Sequence, residues 1–228
     1  YGITVHPRPD QRHIRPGDVH DLARLLRSEF PGVELNVEGN PLTGATDGGY
    51  PGYVALVQAV RPDQATLVPD GDGQLTSDHG WNLARDAERV EPLVRELKSF
   101  GCRVSLFMDP EPGLIDRVPA TGADRIELYT GPFAEAFEED GHAGGERARA
   151  SLRRFAEAAR HARALGIGVN AGHDLDLNNL IAFRTIPEVL EVSIGHALVA
   201  DALDMGLYGA VRRYLEVLAY DPGPDSGF

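Results

Sequence analysis

The chain has 228 residues, a formal net charge of −13 from 22 Lys and Arg against 35 Asp and Glu, 42% hydrophobic residues and one Cys. That length and apolar fraction suit a single α/β domain with a sizeable core, residues 1–228 being read as one domain. The acidic balance argues against nucleic acid as a partner while leaving small phosphorylated ligands open, and one Cys excludes a disulfide framework, a Cys-rich zinc site and an iron–sulfur cluster.

Short β-branched runs recur along the chain, at residues 2–5, 34–37, 66–68, 103–108, 125–128, 168–170 and 190–194. Several are apolar on both faces, which suits parallel strands buried between layers. Helical patterns fall between them. Val19, Leu22, Leu25 and Leu26 form one apolar face after Pro16-Gly17-Asp18. Leu83, Ala87, Val90, Val94 and Leu97 form another, which Pro92 is expected to kink or divide. Residues 146–165 carry a stripe of Leu152, Phe155, Ala159 and Leu165, closed by Gly166, and the charge run within them reads as a solvated face. A last helix is expected over 197–219, with Leu203, Leu207, Val211, Tyr214 and Leu218 in register, and the Gly/Pro/Asp-rich stretch 221–228 reads as a loose tail.

Seven β/α units in a row imply a parallel sheet with helical crossovers. The simplest reading is an α/β fold of the (β/α)8 TIM-barrel type. The chain opens directly on a strand and lacks an initiating Met, so the first β/α unit is expected upstream of Tyr1. An open doubly wound sheet is the alternative, although no Gly-x-Gly-x-x-Gly turn follows the early strands. No apolar run approaches the roughly 18 residues of a membrane span, and no signal peptide is visible. A cytoplasmic location fits this and the single Cys.

The eight His residues are unevenly placed. His6, His173 and His196 each follow a strand, Glu38 ends another and Glu127 lies within one. In a barrel the C-terminal strand ends face one mouth, where active sites are built, and His and Glu there suit proton transfer. One such His alone is more often a structural hydrogen-bonding residue; three at strand ends point to function. Glu127 also fits an inward-facing residue paired with a cation. His20, His79, His142 and His161 read as surface residues, and Cys102 as a buried thiol. Three features suit anions: the turn Ser193-Ile194-Gly195-His196 at a helix start, the turns at Thr130-Gly131 and Asn170-Ala171-Gly172, and the basic loop with Arg8, Arg12 and His13.

The segments Gly2-Ile3-Thr4-Val5-His6-Pro7-Arg8-Pro9-Asp10-Gln11-Arg12-His13-Ile14, Leu35-Asn36-Val37-Glu38-Gly39, Leu67-Val68-Pro69, Val104-Ser105-Leu106-Phe107, Ile126-Glu127-Leu128-Tyr129-Thr130-Gly131, Val169-Asn170-Ala171-Gly172-His173 and Ile194-Gly195-His196-Ala197 resemble the pyridoxine 5′-phosphate synthase family, in family order. The resemblance implies a transferase of vitamin B6 biosynthesis on a TIM barrel. Such an enzyme condenses 1-deoxy-D-xylulose 5-phosphate with 3-amino-2-oxopropyl phosphate to give pyridoxine 5′-phosphate, phosphate and water. It also implies no metal or organic cofactor, no nucleic-acid or membrane partner, and a homo-octamer built from dimers.

Carried over by motif, His6 would be a general base, Glu38 a second proton acceptor, His173 the proton donor, and Glu127 a residue that steadies charged intermediates. Arg8 and His13 would bind the deoxyxylulose phosphate, with Thr76 a further ligand contact. Gly195 and His196 would contact the aminoketone phosphate, and Asp174, standing where some members have Gly, would make a further backbone contact to substrate. The family's Asn-x-Asp-His motif and following Arg have no counterpart here and are expected before Tyr1. Two rival readings remain: a metal-dependent barrel isomerase or hydrolase using His6, Glu38, His173 and His196, and an inactive or truncated phosphosugar-binding barrel.

Overall fold

The computed structural model describes residues 1–71 and 73–219, so the tail expected at 221–228 lies outside the described residues. The elements run β1 (Gly2–Val5), α1 (Pro16–Glu29), β2 (Glu34–Gly39), α2 (Tyr53–Val60), β3 (Gln64–Leu67), α3 (Leu83–Ser99), β4 (Arg103–Met108), the single turns α4 (Pro112–Ile115) and α5 (Val118–Thr121), and β5 (Arg125–Tyr129). They continue with α6 (Gly131–Asp140), α7 (Glu146–Ala164), β6 (Gly168–Gly172), the single turn α8 (Leu180–Phe183), β7 (Val189–Ser193), α9 (His196–Met205) and α10 (Leu207–Ala219). The sheet has seven strands in chain order. β1 to β4 pair parallel, as do β6 and β7. Sequential order with helical crossovers is the topology of a TIM-like (β/α) barrel. A doubly wound sheet would instead reverse its strand order at a switch point.

Packing gathers the described residues into two compact units, Tyr1–Glu127 and a second that begins at Leu128. In the first, β4 ends apolar on both faces, with Leu106, Phe107 and Met108 all buried, whereas β1 to β3 are polar on one face. Leu35, Val37, Ala65, Leu67, Val104 and Leu106 are all buried on one side. The alternate residues form a polar ladder. Asn36 Nδ2 donates to Thr4 Oγ1 (3.2 Å), Thr66 Oγ1 donates to Asn36 Oδ1 (3.0 Å), and Arg103 Nε donates to Gln64 Oε1 (2.8 Å). These buried polar groups are tolerated because they find partners on the neighbouring strand, whereas Ser105 Oγ, beside Thr66 on β4, has no hydrogen-bond partner among the described residues. The period of two that sets this ladder also places His6 two residues beyond Thr4, and Glu38 two beyond Asn36, on the same faces.

Several helices differ from expectation. α2 is only eight residues long, with Tyr53, Leu56, Val57 and Val60 buried. Pro92 sits inside α3 without dividing it, on an exposed position where the missing donor costs least. α7 ends as expected, with Gly166 at φ +79° following its last turn. The expected single helix over 197–219 is two helices, broken at Gly206, whose φ of +74° and ψ of 150° leave helical space. The break resets the helical phase. Leu203 (85% exposed) and Leu207 (63%) therefore leave the apolar stripe, and Ala210, Tyr214 and Val217 become the buried face of α10. The core of the second unit is aromatic: Phe183 of α8 packs on Phe133 of α6 (5.3 Å between centroids) and Phe155 of α7 (5.4 Å).

Cys102 is buried, as the sequence suggested, and burial reinforced by Asp63 pushes its thiol up from 9.0 to about 11. A thiol whose folded pKa is raised stabilises the fold fully below its unfolded value, and that contribution is lost as pH rises through the folded one. Native protein at pH 8 is therefore expected to react with a disulfide reagent far more slowly than protein in urea. Unfolding midpoints should fall between about pH 9 and 11, and Cys102→Ala should flatten that decline. Thiol titration and urea melts at several pH values check both.

Candidate active site

In the first unit the parallel register Val5↔Val37 carries the next residues, His6 and Glu38, side by side at two adjacent strand ends. His6 Nδ1 lies 3.6 Å from Glu38 Oε1, with the His6 side chain 20% exposed and that of Glu38 9%. A partly buried imidazole against a carboxylate suits proton transfer, because the carboxylate orients the ring and both groups can carry a proton. Beneath Glu38 lies Tyr53, whose hydroxyl donates to the carbonyls of Val37 (3.0 Å) and Thr66 (3.2 Å). Burial, with the Glu38 charge adding to it, holds that phenol well above its ordinary range, so it stays neutral. Gly39 is required there, since a Cβ would sit 2.5 Å from the Tyr53 ring.

Arg8 is buried beside this pair. Its Nη1 lies 3.1 Å from Asp70 Oδ2 and reaches the Gln74 carbonyl at 3.4 Å. Ser77 Oγ donates to the same Asp70 oxygen at 2.7 Å, while Asp70 Oδ1 is buried without a hydrogen-bond partner among the described residues. Arg12 Nη2 donates to the carbonyls of Gln74 (3.0 Å) and Leu75 (2.7 Å), so both arginines hold the loop that follows β3. That loop returns through Gly80, where a Cβ would meet Asp109 N at 2.3 Å. His6, Arg8, Asn40, Thr43, Tyr50 and Asp70 line a pocket. Burial pushes the Tyr50 phenol to about 12, which keeps it a neutral donor.

The Arg8–Asp70 pair gives a stability prediction. Removing the cation alone leaves a buried carboxylate unpaired, which costs about 3–5 kcal/mol. Arg8→Met is expected to lose that much in urea unfolding, and Arg8→Met with Asp70→Leu to lose distinctly less. Equal losses would show that the pair is not what stabilises the loop.

In the second unit β6 ends in His173 and Asp174, both non-glycine residues at positive φ (+83° and +56°). His173 is 18% exposed at its side chain, its Nδ1 lies 4.0 Å from Asp174 Oδ2, and its ring meets Tyr129 edge-on at 5.7 Å. Gly195 precedes α9 with φ −112°, so no left-handed backbone demands glycine there, and His196 is the first residue of the helix. Both are exposed, and a Cβ on Gly195 would meet nothing within 4 Å.

His6, Glu38 and Arg8 are thus brought together. His13 is exposed on the loop after them, and Thr76 is exposed on the loop after β3. Glu127 is buried in β5 at 1% exposure. Among the other His residues, His20, His79 and His142 are exposed, whereas His161 is half-buried. Among the described residues no group of three His, Cys, Asp or Glu is placed to hold a metal ion. No helix is long and apolar enough to cross a membrane. Asp70 was not singled out from sequence, although it directly follows Leu67-Val68-Pro69, at a strand end like His6 and Glu38.

A family model described as "Pyridoxal phosphate biosynthesis protein PdxJ" matches residues 1–220. The chain is 57% identical over 220 residues to a pyridoxine 5′-phosphate synthase of Xanthomonas campestris pv. campestris (strain B100), covering 96% of this chain and 82% of the relative. It is 54% identical over 219 residues to that of Xanthomonas axonopodis pv. citri (strain 306), with the same coverage. To that of Xylella fastidiosa (strain M12) it is 54% identical over 220 residues, covering 96% and 81%. Among solved structures, the Amycolatopsis orientalis BexX/CysO complex matches with a TM-score of 0.57 and 15% identity, over 100% of this chain and 83% of that one. At this identity the likeness speaks for the barrel fold alone.

Proposed function

The chain belongs to the PdxJ family of pyridoxal phosphate biosynthesis proteins, and from that membership we propose that it condenses 1-deoxy-D-xylulose 5-phosphate with 3-amino-2-oxopropyl phosphate to give pyridoxine 5′-phosphate, phosphate and water. The observation that carries the chemistry is the His6–Glu38 pair at two neighbouring strand ends. Amine addition to the ketone, loss of water, proton removal beside the imine, phosphate loss and ring closure all move protons, which suits His and Glu. His6 and Glu38 take protons, His173 gives one, and Glu127 steadies the charged intermediates. Arg8 and His13 hold the deoxyxylulose phosphate, Gly195 and His196 hold the aminoketone phosphate, and Thr76 and Asp174 make further substrate contacts. In this reading the transferase needs no metal or organic cofactor. It acts as one domain in the cytoplasm and assembles as an octamer built from dimers, without nucleic-acid or membrane partners.

The test is direct. Purified protein is incubated with both substrates after dialysis against a chelator, and pyridoxine 5′-phosphate and phosphate are measured together. Equimolar product and phosphate support the reading. No product, under conditions where the Xanthomonas campestris relative turns over, overturns it. Activity that needs an added metal overturns the cofactor-free form.

A further inference from the structure

We propose that Thr130 and Asn179 are positioning residues that hold His173 in its working orientation; this rests on the reading of His173 as the proton donor. The turn that ends β6 is strained. His173 and Asp174 both occupy the left-handed region, which non-glycine residues adopt rarely and keep only when their surroundings hold them there. What holds them is a set of contacts to three successive carbonyls. The Thr130 backbone N–H donates to the Gly172 carbonyl at 2.9 Å, and the Thr130 hydroxyl donates to Gly172 O at 2.7 Å and also to His173 O. Asn179 Nδ2 donates to Asp174 O at 3.0 Å, while Asn179 Oδ1 accepts from Asp176 N at 2.9 Å and closes the same turn. Thr130 is fully buried and Asn179 is 3% exposed, so water does not compete for these donors.

Both residues give up an ordinary local role to do this. Thr130 is the N-cap of α6 and Asn179 the N-cap of α8, and neither side chain caps its own helix. Thr and Asn at N-caps normally accept a hydrogen bond from the helix's first turn. Departures from such a local rule gather at functional sites. The neighbours of Thr130 serve the same residue. Tyr129 lies edge-on to the His173 ring, and Gly131 leaves room for Tyr129, since a Cβ there would come 2.2 Å from the phenol oxygen. The residues Tyr129-Thr130-Gly131 therefore fix both the backbone and the ring of His173.

The experiment compares Thr130→Val, Thr130→Ser, Asn179→Asp and His173→Asn, each also combined with His173→Asn where it does not already carry it. Thr130→Val removes the hydroxyl at constant shape. Asn179→Asp keeps the acceptor for Asp176 N and removes the donor to Asp174. Each is expected to lower kcat about 10- to 100-fold with KM for either substrate changed less than about 3-fold, as a displaced reacting group does. Thr130→Ser should restore most of the rate. Added to His173→Asn, neither substitution should lower the rate further, because both act through that ring. Full rates in Thr130→Val and Asn179→Asp while His173→Asn is impaired overturn the positioning role. So does a Thr130→Val that fails to fold while Asn179→Asp keeps the parent rate. Full activity of His173→Asn overturns instead the assignment of His173.

Discussion

His173→Asn is expected to fold like the parent and to lose about 10²–10⁴ in turnover. The direction follows from where His173 sits. At φ +83° it occupies backbone space that Asn tolerates better than most residues, so the substitution keeps the turn. Its side chain is 18% exposed beside Tyr129, and Asn puts a polar side chain of similar reach in its place. What disappears is the imidazole, the group able to exchange a proton near neutral pH. Steady-state kinetics with both substrates, beside thermal unfolding, check this. A large fall in melting temperature with turnover intact would make His173 a structural residue.

How much of this was legible in the sequence depended on which physical signal each element carries. All seven strands announced themselves through β-branched runs, and their bounds moved by no more than two residues. Strand ends therefore located His6, Glu38 and His173 before any geometry was known. The polar ladder through Thr4, Asn36 and Thr66 was not visible, because its residues are satisfied by partners on other strands. A sequence window sees only that they interrupt an apolar run. α2 escaped for a related reason: eight residues rich in apolar side chains give no contrast between a buried and an exposed face. The break at Gly206 was missed because the leucines on either side continue the heptad-like spacing that the break destroys. Asp70 and Thr130 matter through partners far away in the chain, 62 residues away for Arg8 and 43 for the His173 carbonyl. Their places after β3 and β5 are legible locally, but what they hold is not.

The second large effect concerns Glu38 and His6 together. Glu38→Gln and His6→Asn should each lower turnover by about 10²–10⁴, and the double variant should be little worse than the poorer single one. The register that pairs Val5 with Val37 makes the next two residues neighbours, and the side chains stand 3.6 Å apart. At that distance the carboxylate orients the imidazole, so removing either disables the same step. Residues acting as one unit give losses that do not multiply, whereas residues serving separate steps give losses that do. The cycle also separates chemistry from packing. Glu38 is buried near Tyr53, so Glu38→Gln keeps the volume and the hydrogen-bonding oxygen while removing a charge that adds to burial in raising the Tyr53 pKa. If the pair is catalytic, Glu38→Gln loses turnover with its unfolding midpoint close to that of the parent. A fully multiplicative double loss would place His6 and Glu38 in separate steps, and would remove the observation on which the proton-transfer reading of this strand pair stands.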